Sequence, residues 1–236
     1  MTAGRYSAVA FDLDDTVCRR DQDPGELYER AFERAGVEPF GEPADLWHAL
    51  AGPPEPNDER AYFAAGFTVV AARNDRSETD ADALADGLLN SIDHGAVSFT
   101  PGAREALAAA RATGPVALVT NGPEWRQSHK VAALDLSDAF DAVVYAGDME
   151  RRKPHPDPFD RACDLLGSEH AETLYVGDSL EHDVAGAQGA GLPVAWVPGP
   201  DAEHPTTDDG RPDPAPYGPE HVLSSLEEFP SLVRGR

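Results

Sequence analysis

The chain has 236 residues, 41% of them apolar, enough for a packed core. Its 43 acidic residues against 19 basic ones give a formal net charge of −24. That balance argues against nucleic acid and the anionic face of a membrane, because phosphate contacts need clustered cations, and leaves small molecules and metal ions as the expected partners.

In chain order, Ser7–Phe11 is the first short apolar run with strand character, and it runs directly into acids: residues 9 to 17 read VAFDLDDTV. From about Val17 to Thr100 the segments Glu26–Ala35, Ala44–Leu50, Asp58–Ala72 and Asp80–Ile92 read as helices, with no convincing strand between them. FTVVAA at Phe67–Ala72 has β-branched residues, but its Ala-rich flanks favour helix. Beyond that interval, strands are expected at Val116–Val119, Ala142–Tyr145, Leu174–Val176 and Val194–Val197. Helices are expected at Gly102–Thr113, Glu124–Leu134, Asp157–Leu166 and Leu180–Gly189. This alternation predicts an α/β fold: a Rossmann-like three-layer core with a parallel sheet, formed by residues 1–18 and 99–236, plus an inserted α-helical domain over 19–98. Seven prolines between Pro198 and Pro219 predict a surface loop, after which HVLSSLEEFPSLV reads as a short strand and a helix capped near Ser224 or Ser225.

Only Lys130 and Lys153 are lysines, and aspartate is scattered along every helix-like segment, which reads as a salt-adapted coat and a halophilic origin. Cys18 and Cys163 have no metal-like spacing and are expected to be ordinary thiols. The start of the chain, MTAGRYSAVAF, lacks a signal pattern, and no apolar run approaches the ~18 residues of a membrane helix, so a soluble cytoplasmic protein is expected.

Period-two alternation lets Asp12 and Asp14 project to the same side of a strand end. Two carboxylates sharing one site repel unless a cation lies between them, and hard oxygens at this density suit Mg²⁺. Two more strands end on polar groups, at Thr120 and Asn121 and at Asp178 and Ser179. Ligands of open parallel sheets bind outside such carboxyl ends, so these termini predict one crevice, which Lys153 could reach with a compact ammonium.

FDLDDTV, TNG, KP and GDSLEHD, in this order, resemble the four motifs of the haloacid dehalogenase-like hydrolase superfamily, whose members are mostly Mg²⁺-dependent phosphatases. The resemblance covers nearly the whole chain and makes the helical insertion a cap. It implies a phosphomonoester hydrolase acting on a small phosphorylated metabolite, with Asp12 as nucleophile forming an aspartyl-phosphate and Asp14 as acid and then base. Asp12, Asp178 and the backbone carbonyl of Asp14 would hold Mg²⁺. Thr120, Asn121 and Lys153 would bind the phosphoryl group, with Asp183 orienting Lys153 or its loop. Asp15 is expected to be a bystander, and Thr16 to lie near the phosphate.

Asp14 disfavours a dehalogenase, whose branch lacks an aspartate there, and the absence of lysine before Lys130 disfavours a phosphonoacetaldehyde-type hydrolase. A phosphomutase and a non-catalytic binding module on the same fold stay open as alternatives. Gln127 followed by Lys130 is similar to the branch containing pyrimidine 5′-nucleotidases and N-acylneuraminate 9-phosphatases, with packing and solvation of one helix as the plainer reading. Trp47, His48, Arg73 and His94 are expected to be core or surface residues of the insertion, with substrate contact as the alternative. Arg19, Arg20, Arg151 and Arg152 flank the crevice and could attract an anion.

Overall fold

The computed structural model describes residues 5–50, 58–199, 206–207 and 212–234. The chain divides into two compact units, Met1–Arg20 with Val97–Arg236, and Asp21–Ala96. No helix among the described residues is long and apolar enough to cross a membrane.

The first unit is built on a six-stranded sheet whose paired strands are all parallel. Its strands in chain order are β1 (Ala8–Phe11), β4 (Val116–Thr120), β5 (Ala142–Tyr145), β6 (Thr173–Gly177), β7 (Val194–Trp196) and β8 (His221–Val222). The spatial order is β5-β4-β1-β6-β7-β8, so the chain leaves β1 in one direction and later resumes on its other side. Such a reversal opens a crevice at the carboxyl ends of the strands that flank it.

Burial on both faces explains why these strands read as continuous apolar runs. Val9, Phe11, Leu118 and Val176 face one core with Ala106, Ala110 and Val131. Those three belong to helices α5 (Ala103–Thr113) and α6 (Glu124–Ala133), and Phe229 of α9 (Phe229–Val233) joins them. On the opposite face Ala10, Val119, Tyr175 and Val194 pack against Phe159 of α7 (Asp157–Leu166) and Val184. Val184 lies in a wide helical turn, Leu180–Ala185, that leads into α8 (Gly186–Gly189).

Two strands lie inside the interval that the sequence reads as strand-free. Cys18–Arg20 (β2) and Val97–Phe99 (β3) form an antiparallel pair, with Cys18 opposite Phe99 and Arg20 opposite Val97. Three residues each are too few to carry a periodicity, and β2 is two-thirds arginine.

In the second unit, α1 (Pro24–Ala35), α2 (Pro43–Ala49), α3 (Glu59–Arg73) and α4 (Ala81–Leu89) enclose a core of Leu27, Phe32, Leu46, Phe67, Val70, Leu84 and Leu88. Asp23 caps α1 by accepting from the Glu26 amide at 3.0 Å, and Gly36 ends it in the left-handed conformation at φ 65°. FTVVAA is helical, within α3, where Phe67, Val70 and Ala71 are buried. Of the proline-rich loop expected at 198–219, residues 200–205 and 208–211 lie outside the described residues. Beyond it, His221–Val222 and a turn capped by Ser225, which accepts from the Glu227 amide, follow as expected.

Candidate active site

Three neighbouring strands end in polar residues, all at the sheet's carboxyl edge. Asp12 follows β1, its amide donating to Val176 O at 2.9 Å. Thr120 is the last residue of β4, and Asp178 follows β6. The alternation of β1 places Asp12 on the face of Ala10, which is the face of Tyr175.

Lys153 reaches this face from the turn before α7 and is 2% exposed. Its ammonium donates to Asp12 Oδ1 at 2.6 Å, Asp183 Oδ1 at 2.7 Å, the Tyr175 hydroxyl at 2.9 Å and Val119 O at 3.0 Å. Burial alone would push this amine down, but the charges of Asp12 and Asp183 outweigh it and hold the ammonium well above the ordinary lysine range. A compact, fully donating ammonium suits this enclosed spot better than a guanidinium fork.

Asp183 is fully committed: besides Lys153 it accepts from Tyr175 Oη at 2.9 Å and, on its other oxygen, from the Ser179 amide at 3.0 Å. Gly177 makes that approach feasible, since a Cβ there would sit 2.4 Å from Asp183 Cγ.

Ligand atoms of Asp12, Asp178 and Asp183 lie within 4.8 Å of one another. Burial pushes the Asp12 carboxyl up to about 7 against the pull of Lys153, with Asp183 and Asp14 adding repulsion. Asp178 is pushed up to about 9, again by burial first and then by Asp12, Asp183 and Asp15. One ammonium is therefore too little positive charge for the cluster, and hard oxygens this close fit a divalent cation such as Mg²⁺. Thr16 donates to Asp178 Oδ1 at 3.2 Å, and the Trp196 indole donates to Asp178 O at 2.6 Å.

Asp14 lies apart from that cluster. Its Oδ2 accepts from Gln127 Nε2 at 2.7 Å and its Oδ1 pairs with the Lys130 ammonium. Burial raises this carboxyl, but the Lys130 charge and the bonds from Lys130 and Gln127 outweigh it, leaving it below the usual carboxylate range. Asp15 is exposed, in a left-handed turn at φ 59°, a conformation that aspartate tolerates.

The TNG segment serves two purposes. Thr120 Oγ1 accepts from Gln127 Nε2 at 2.6 Å and from the Gly122 amide at 3.3 Å, which leaves its own proton to donate. The Asn121 amide grips the Lys153 backbone from both ends, accepting from its N–H at 2.9 Å and donating to its carbonyl at 3.0 Å. One N–H of that amide is left for a ligand.

Asp12, Thr120, Asn121, Lys153, Asp178 and Asp183 are thus neighbours, while Tyr175 went unread. Tyr175 is legible only as a hydroxyl on an otherwise apolar central strand. Gln127 and Lys130 sit at helical i, i+3 spacing, a signal equally compatible with packing. Arg151, expected beside the crevice, spends its guanidinium on Asp157 at 2.9 Å and His155 at 3.0 Å.

Residues 6–191 match the family model described as haloacid dehalogenase-like hydrolase. The chain belongs to this hydrolase family. It is 34% identical over 118 residues to N-acylneuraminate-9-phosphatase of Rattus norvegicus, covering 50% of this chain and 44% of that protein. Against such relatives the chain therefore spans about half their length. A phosphoglycolate phosphatase of Neisseria gonorrhoeae is 30% identical over 196 residues, covering 78% of this chain and 76% of its own length. Among solved structures, the putative hydrolase YfnB of Bacillus subtilis, described as bound to magnesium, superposes with a TM-score of 0.70 at 22% identity, covering 98% of this chain and all of that one. The six-stranded α/β core is the architecture shared with such hydrolases.

Proposed function

We propose that the chain is a Mg²⁺-dependent phosphomonoester hydrolase that acts on a small phosphorylated metabolite through an aspartyl-phosphate. The observation that carries this reading is the division of labour between two aspartates two residues apart. Asp12 lies against Lys153 in a cluster of carboxylates, whereas Asp14 faces a separate pair of donors.

Asp12 attacks phosphorus with a carboxylate lone pair while the bond from phosphorus to the alcohol oxygen breaks. Asp14 gives the departing oxygen its proton, then takes one from the water that attacks the phosphorylated Asp12; phosphate leaves and both carboxyl groups return to their starting state. In the ligand-free protein Asp14 is held in its basic form, and an arriving phosphoryl dianion beside it pushes the carboxyl up toward the acid form. Lys153, the Thr120 proton and the remaining Asn121 N–H oppose the charge on the phosphoryl oxygens. Asp12, Asp178 and the Asp14 carbonyl would hold Mg²⁺, which neutralises phosphate charge against an anionic nucleophile. The magnesium described for YfnB supports that choice of ion.

The helical unit, Asp21–Ala96, is in this reading the cap that selects the substrate. A phosphate-release screen over nucleotides, sugar phosphates, phosphoglycolate and p-nitrophenyl phosphate, at high salt with and without Mg²⁺, tests the proposal. Mg²⁺-dependent release with a preferred ester is the expected result; no release from any ester sinks the reading. Turnover that requires a bisphosphate activator would move the chain to the phosphomutases.

A further inference from the structure

The chain's two lysines are both buried, and each meets one aspartate of the first motif: Lys153 meets Asp12 and Lys130 meets Asp14. Every other cationic side chain apart from histidine is arginine, so lysine persists only at these two places. Lys130 is 1% exposed and Gln127 is 0% exposed, yet both are long polar residues on a helix whose remaining buried residue is Val131.

We infer that Gln127 and Lys130 form a positioning clamp, which fixes the Asp14 carboxyl for proton transfer and ties it to the phosphate-binding hydroxyl of Thr120. This rests on the phosphatase reading above. Three observations carry it.

Residues 127 and 130 lie on one face of α6, so a single helix delivers a donor to each Asp14 oxygen. A carboxyl held at both oxygens keeps one orientation and still has a second lone pair on each for the travelling proton. Next, the same Gln127 Nε2 donates to Thr120 Oγ1 at 2.6 Å. That bond makes the hydroxyl an acceptor on this side and keeps its proton free to donate elsewhere.

The third observation is what the arrangement costs. Gln127 Oε1 is buried with no hydrogen-bond partner among the described residues. Rotating the amide would remove the donor to Asp14 and aim a carbonyl at its carboxylate instead. Gly122 is shaped around this side chain as well: a Cβ there would lie 2.4 Å from Gln127 Cδ. A merely structural contact would be served as well by apolar residues, because buried ion pairs are weak stabilisers compared with packed hydrocarbon. Retaining an ammonium, an amide and an orphaned carbonyl here points to a task in the reaction.

The clamp predicts a dependence on the leaving group. A p-nitrophenolate departs without a proton, while an alkoxide needs one from a correctly placed Asp14. Lys130→Met and Gln127→Met would be compared with wild type on p-nitrophenyl phosphate and on an alkyl phosphate such as glycerol phosphate, each enzyme assayed on both from one preparation. The kcat ratio of alkyl to aryl ester is expected to fall roughly tenfold to a hundredfold in Lys130→Met, part of the ~10²–10⁴ that general acid catalysis supplies. Gln127→Met is expected to lower the ratio and also raise KM for both esters, because Thr120 is released. Because the ratio is internal to each preparation, a partly unfolded sample does not change it; if one variant does not fold, the other decides. Equal losses on both esters, or no change in either, would overturn the clamp while leaving the phosphatase reading intact. A wild-type protein inactive on every ester would overturn the reading, and the clamp with it.

Discussion

Asn121 holds Lys153 by the backbone: its amide accepts from the Lys153 N–H at 2.9 Å and donates to the Lys153 carbonyl at 3.0 Å. A side chain at the end of β4 thereby fixes the turn that carries the ammonium to Asp12. Replacing Asn121 with Asp keeps the shape but turns the donating end into an acceptor facing a carbonyl. Losing such paired bonds costs about 1–3 kcal/mol, so kcat/KM for Asn121→Asp is expected to drop by roughly 10–100-fold at 1.36 kcal/mol per decade. Wild-type kinetics in this variant would show that the grip is incidental.

Asp178 carries the repulsion of its neighbours, being pushed up to about 9 by burial and by Asp12, Asp183 and Asp15. Without metal, Asp178 must take up a proton at neutral pH to sit in the cluster, and Asp178→Asn removes that cost, so the metal-free protein should melt at a higher temperature than wild type. The same change removes an oxygen ligand. The Mg²⁺ concentration giving half-maximal phosphate release should rise by ~10-fold or more, as ligand-shell substitutions generally do. Melting and Mg²⁺ titration together check both signs, and a variant with unaltered Mg²⁺ dependence would remove Asp178 from the metal site.

At the start of β8, Tyr6 Oη and His221 Nε2 are hydrogen-bonded at 2.7 Å. Burial and then Arg5 hold His221 below the ordinary histidine value, against Glu220. The unfolded ring, near pKa ~6.5, then takes up its proton first as pH falls. The contribution to stability is complete above that value and disappears as pH falls through the lower, folded one. Urea unfolding at pH 7.5 and pH 5 should show wild type losing more stability on acidification than His221→Gln; parallel losses would refute the assignment.

The charge of −24 predicts a stability that depends on salt. Self-repulsion at this density is screened when the Debye length falls to ~3 Å at molar ionic strength. Melting temperature should climb by several degrees between 0.1 M and 2 M KCl, and climb less in variants with surface acids replaced by Gln. A melting temperature indifferent to KCl would argue against the salt-adapted reading.

The sheet was legible because strands buried on both faces must be continuously apolar, and the site because three of them stop at polar residues. Asp12, Thr120 and Asp178 were readable for that reason. Cys18–Arg20 and Val97–Phe99 were not, since a three-residue strand has no period and its partner lies far along the chain. Helical spacing put Gln127 and Lys130 on one face of a helix but could not say whether that face looks at solvent or at Asp14. Only the docking of α6 on the sheet decides this, just as only the strand's face decides that Tyr175 reaches Lys153.

The most direct test of the central claim is to quench the enzyme in acid during turnover with its preferred ester and Mg²⁺ and map the phosphorylated peptide by mass spectrometry. The account predicts a hydroxylamine-labile phosphoryl group on Asp12, absent from Asp12→Asn, which should also release no phosphate. Turnover with Asp12 never modified, or wild-type turnover in Asp12→Asn, would contradict it.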